Sequence, residues 1–122
     1  IRRVAEGVAS AHGCGHELEV VFGYPVTSND DRFADWALDL AGDVAGADHV
    51  VRLPHPIMGA EDFSYVLQNL PGAMMFLGGT PDGENPATAA PNHSNRVMFD
   101  EPAMATGTAL YAAAALRHLA PT

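Results

Sequence analysis

Helical periodicity in this chain is broken three times by short apolar runs bounded by Gly or Pro, and that alternation leaves few folds open. Ile1, Val4, Ala5 and Val8 recur at helical spacing up to His12, with Gly13 placed to end the helix in a left-handed cap. Glu17 to Tyr24 then alternates, with Leu18, Val20 and Phe22 on one face, which predicts a half-buried strand closed by Pro25. Thr27 to Asp30 offers several N-caps to a helix striped by Phe33, Ala37, Leu40, Ala41 and Val44 and stopped at Gly46. His49 to Leu53 predicts a second strand, and Pro54-His55-Pro56 keeps the chain extended up to Met58-Gly59. Glu61 or Asp62 opens a helix whose apolar face is Phe63, Val66, Leu67 and Leu70, and Pro71-Gly72 ends it. Ala73 to Leu77 is wholly apolar, as expected of a strand buried on both faces. A long loop from Gly78 to Asn92 precedes a last helix from about Glu101 to Leu119, with Pro102 in its first turn. Helix and strand in alternation predict an α/β arrangement.

Composition removes several classes of function. The 122 residues suit about one domain, and a hydrophobic content of 48% suits a globular chain. Fifteen acidic residues against six basic ones give a formal charge of −9, a surface that repels nucleic-acid phosphates and anionic membranes. No nucleic-acid or membrane partner is expected. All six basic residues are arginine, so Schiff-base lysine chemistry is excluded. Cys14 is single, which rules out an intrachain disulfide and makes a reducing cytoplasm the default location. No run approaches the ~20 apolar residues of a membrane span. The chain opens at Ile1 inside a helical pattern without an initiator methionine, as expected of the back end of a larger enzyme.

The residues that can carry chemistry lie around two motifs, Met58-Gly59-Ala60-Glu61-Asp62-Phe63 and Asn92-His93-Ser94 before Phe99-Asp100-Glu101. A neutral imidazole is the commonest metal-binding side chain, and Asn92, Ser94 or a backbone carbonyl could orient the ring of His93. A surface-loop histidine bonded to solvent is the alternative. Glu61 and Asp62 fit a first helical turn, where carboxylates complement free N–H groups. Gly59 before them would let the backbone approach a ligand, in a position that follows a strand, where α/β crevices form. A catalytic divalent site needs three protein ligands and a two-metal site more, so one histidine falls short. His12-Gly13-Cys14-Gly15-His16-Glu17 crowds zinc-type donors together, yet its glycines suit a helix-to-strand turn, which is the preferred reading.

These motifs, with Leu70-Pro71-Gly72, Leu77-Gly78 and the Pro25-to-Asp30 stretch, resemble the C-terminal part of an M20-type metallopeptidase over nearly the whole chain. The resemblance is to the amidohydrolase branch that includes hippurate, N-acyl-amino-acid and auxin-conjugate hydrolases. It implies that residues 1–26 are the last helix and strand of a small α+β lid or dimerisation domain. It also implies that residues 27–122 are the closing part of a zinc-peptidase-like α/β catalytic domain. His93 matches the family's last metal-ligand histidine, while Gly59 and Glu61 lie where the family shapes its metal and substrate pocket.

The implied cofactors are two divalent ions (zinc, manganese, cobalt or nickel), and the implied substrate is an N-acyl amino acid. The reaction would be metal-assisted hydrolysis to an amino acid and a carboxylic acid. The family's own His-x-Cys-Gly-His-Asp motif belongs far upstream, ahead of a helix, so the segment around Cys14 is a look-alike. The remaining ligands and the general base are absent from this sequence, and the 122 residues alone are expected to be inert. The resemblance leaves room for a homodimer through the lid. A dipeptidase, carboxypeptidase or biosynthetic deacylase of the same family is the first alternative. A non-catalytic binding or dimerisation module is the second.

Overall fold

A computed structural model of the chain describes residues 1–120. Among them the regular elements are four α-helices: α1 (Arg2–Ala11), α2 (Asp31–Ala45), α3 (Ser64–Leu67) and α4 (Ala103–Leu119), with one 3-10 turn at Ala47–His49. The first two long helices stop where the sequence carries a glycine, and the third starts at a proline. Gly13 takes a φ of 65°, and the N–H groups of Gly13 and Cys14 donate to the carbonyls of Ser10 (3.0 Å) and Ala9 (2.9 Å). That paired closure satisfies the last carbonyls of α1, so the Gly-Cys-Gly segment serves as a turn. At the start of α2, Asp30 Oδ1 accepts from the Phe33 N–H at 3.0 Å, and at its end Gly46 has a φ of 92°. Pro102 occupies the N-cap of α4, two residues after Asp100.

The core lies on α2, where Ala37, Leu40 and Ala41 are buried. α4 is the helix that packs against it, and Ala103, Thr106, Gly107, Leu110, Ala113 and Ala114 form its half-buried line. Gly107 has a reason to lack a side chain, since a Cβ there would stand 3.0 Å from Leu77 Cδ2. At the far end of the pair, His118 sits beside Phe33 and Trp36, with ring centroids 6.3 and 6.4 Å away, and Arg117 pairs with Asp43. The opposite face of α4 is also apolar but uncovered: Met104, Tyr111, Leu116 and Leu119 are exposed. A helix apolar on all sides is normally buried on all sides.

The sheet expected from the sequence is not formed among the described residues, which contain no paired strand. Residues 17–24 and 50–53 are non-helical and lack ladder bonds, and His49, expected to begin the second strand, belongs to the 3-10 turn. Ala73 to Leu77 likewise has no strand partner, and Met75, Phe76 and Leu77 are exposed where burial on both faces is expected. The physical reason is that alternation and apolarity define a strand's faces, whereas a strand exists only when another backbone supplies donors and acceptors along its edge. Among the described residues no other extended run forms a ladder with these three. α3 is also shorter than the expected Asp62-to-Leu70 helix, because the turns on either side close on i−3 carbonyls, as in Tyr65 N–H to Asp62 and Asn69 N–H to Val66.

Candidate functional site

His93 sits at the apex of a tight turn. The Ser94 N–H donates to the Pro91 carbonyl at 3.0 Å, and His93, the third residue of the turn, has a φ of 71°. It is the one non-glycine residue with positive φ among those described. Negative φ at the second position and positive φ at the third is the sign pattern of a type II turn, in which glycine is the unstrained choice. A histidine in that conformation costs about 1–2 kcal/mol. Such strain persists where the surroundings enforce it, and it concentrates at functional sites.

The turn is held by its neighbours, and the ring is left free. Asn92 Oδ1 accepts from the His93 backbone N–H at 3.1 Å, and Ser94 Oγ accepts from the Arg96 N–H at 3.1 Å. Both side chains expected to orient the imidazole therefore bind backbone instead. The whole excursion is closed at its neck, where the Asp100 N–H donates to the Gly79 carbonyl at 2.9 Å and the Phe99 ring lies against Gly79. His93 is exposed on this loop.

Gly59 lies in an exposed stretch where an added Cβ would meet nothing within 4 Å, and it lacks positive φ, so the freedom glycine offers is not used by the backbone there. Glu61 is half-buried, and its carbonyl accepts from the Ser64 N–H at 3.2 Å, which starts the turn into α3. Ser64 itself is fully buried with an unpartnered hydroxyl. Among the described residues, no three His, Cys, Asp or Glu side chains come together as a metal site would require. The described donors therefore do not hold a divalent ion by themselves. The Cys14 segment, with its cysteine exposed, forms no such group either.

One residue that matters was read from the sequence as a capping candidate and as part of the Pro25-to-Asp30 stretch. Asn29 bonds Met74 twice across 45 positions, accepting from its N–H at 2.9 Å and donating to its carbonyl at 3.2 Å. Its place in that stretch, beside Asp30, was the local signal. The partner lies too far along the chain for any periodicity to reveal it.

Comparison with known proteins bears on the same residues. The sequence profile of Peptidase family M20/M25/M40 matches residues 4–117. The chain belongs to this family. YhaA of Bacillus subtilis (strain 168), which bears an amidohydrolase name, is 32% identical over 97% of the chain and 29% of its own length. Thermostable carboxypeptidase 2 of Saccharolobus solfataricus is 29% identical over 96% of the chain and 28% of its own length. IAA-amino acid hydrolase ILR1-like 4 of Arabidopsis thaliana is 33% identical over 79% of the chain and 21% of its own length. The chain thus spans less than a third of these M20 relatives. No solved structure matches it. Membership supports a peptidase-like fold, and no helix among the described residues is long and apolar enough to cross a membrane.

Proposed function

We propose that this chain is the C-terminal part of a metal-dependent amidohydrolase that cleaves N-acyl amino acids into an amino acid and a carboxylic acid. The match to the M20 family over residues 4–117 carries the proposal, and a relative named as an amidohydrolase and one named as an IAA-amino acid hydrolase favour this substrate class. Residues 27–122 close an α/β catalytic domain, and residues 1–26 are the tail of a lid or dimerisation domain. Strands from the rest of that domain would supply the ladder partners that 73–77 and 50–53 lack. A homodimer through the lid belongs to the same reading.

Within this scheme His93 supplies one imidazole donor, presented outward from a strained turn whose flanking side chains are occupied with its backbone. Glu61 and Gly59 contribute one wall of the substrate pocket. Bound divalent ions, whether zinc, manganese, cobalt or nickel, supply carbonyl polarisation and a nucleophilic water at neutral pH. The single cysteine fits a reducing, cytoplasmic setting. A carboxypeptidase is the second reading, favoured by the relative of that name.

Substitution His93→Ala in the full-length protein tests the assignment. Metal content after dialysis and hydrolysis of an N-acyl amino acid should both fall at least tenfold, as expected when a ligand is removed. Unchanged metal content would assign the chain to a non-catalytic binding module. A panel of N-acyl amino acids and dipeptides separates the two enzymatic readings.

A further inference from the structure

The carboxamide of Asn29 does for Met74 what a neighbouring strand would do. In an extended segment the N–H and C=O of one residue point to the same edge, and a partner strand normally answers both. Here the Asn29 side chain answers both, at 2.9 and 3.2 Å. The next residue adds a third bond to the same segment, since the Asp30 N–H donates to the Gly72 carbonyl at 2.9 Å. Asp30 then caps α2 through its side chain. Two positions before Asn29 the Thr27 hydroxyl is buried, whereas Val26 is 85% exposed.

The transition is abrupt. Upstream of it, α1 packs against no other element among the described residues, and Val21 and Phe22 are exposed. The aromatic contact reaching back is the edge-on pair Tyr24 and Tyr65, with centroids 5.8 Å apart and both side chains about half exposed. From Thr27 onward the chain is tied to residues 72–74 and continues directly into the best-buried helix of the molecule.

We propose that Asn29 is a positioning residue that clamps the crossover between residues 1–26 and 27–122, so that the first segment pivots at Val26–Thr27 while the second stays fixed. The proposal rests on reading these two segments as parts of a lid and a catalytic domain. A local Asx turn does not account for the bonds, because the partner is 45 positions away and both amide atoms are used. The clamp confines reorientation to a short stretch and so defines the angles from which the first segment can approach the second. Releasing it would let the pivot migrate toward α2.

Asn29→Leu in the full-length protein keeps the size of the side chain and removes both bonds. Exchange of the Met74 amide should accelerate about tenfold, with exchange in α2 and α4 unchanged. Asn29→Asp, which retains the acceptor for the Met74 N–H, should fall between the two. Pivot migration is read separately by nitroxide labels on Cys14 and on Asp39→Cys, both exposed positions, with any other accessible cysteine replaced. Their distance distribution should broaden about twofold in Asn29→Leu relative to the same labelled protein with Asn29. Unchanged exchange at Met74 would overturn the clamp. Faster exchange without broadening would reduce Asn29 to a structural contact and overturn the pivot. Neither readout depends on hydrolysis, so loss of the functional reading through His93→Ala leaves this test standing, and the reverse holds too.

Discussion

A histidine at φ 71° is the residue where conformation and chemistry pull apart. Glycine would fit the third position of this turn better, so the imidazole is retained against a local cost. His93→Gly should therefore raise stability by about 0.5–1 kcal/mol, the strain relieved less the extra entropy glycine loses on folding. Metal retention and activity should fall in the same variant. Urea unfolding and metal analysis of His93→Gly and His93→Ala together check this, and a stability loss in the glycine variant would show that the imidazole makes structural contacts. Asn29 teaches the complementary lesson, for its two long-range bonds look like an ordinary cap until Met74 is placed beside it.

Among the elements, α2 shows the closest agreement between pattern and outcome. Its apolar stripe and terminating glycine were legible, and its cap lay among the several candidates from Thr27 to Asp30, because each acts within four residues. Asp30→Ala should lower stability by about 1 kcal/mol through loss of the bond from the Phe33 N–H. Thermal unfolding and the helical circular-dichroism signal of the full-length protein would show it. The backbone bond from Asp30 to Gly72 survives that substitution, so Met74 exchange should stay slow. The ion pairs Arg52–Asp35 and Arg117–Asp43 weigh less. Three of their four side chains are about two-thirds exposed, and solvent screening leaves such pairs near ~0–1 kcal/mol. The apolar runs at 17–24, 50–53 and 73–77 carried a strand pattern that these residues do not complete, since a ladder depends on backbone supplied from elsewhere.

Across the whole molecule the accessible surface is 10284 Å² for 12.8 kDa. A compact monomer of that mass exposes roughly 6,300 Å², so about 4,000 Å² of surface is uncovered beyond the usual amount. Much of it is apolar, including Val20 to Phe22, Met75 to Leu77 and the outer face of α4. Soluble monomers rarely leave patches of that size open. The 122 residues alone are expected to bind a hydrophobic dye strongly and to hydrolyse no N-acyl amino acid at enzyme-like rates. The full-length protein should bind the dye weakly. Dye titration of both checks the surface argument, and strong binding by the full-length protein would refute it.

What the sequence by itself determined is local: the three long helices, the stops of two of them at Gly13 and Gly46 and the start of the third at Pro102, the resemblance through the two motifs, and His93 as the candidate donor. Periodicity, capping and turn chemistry act over a few residues, so they can be read along a line. Tertiary structure decided the rest, because backbone partners and shared edges are set by distance in space and not by distance along the chain. It left three apolar runs without ladders, drew Asn29 to Met74, set His93 in a left-handed turn, and left one side of α4 uncovered.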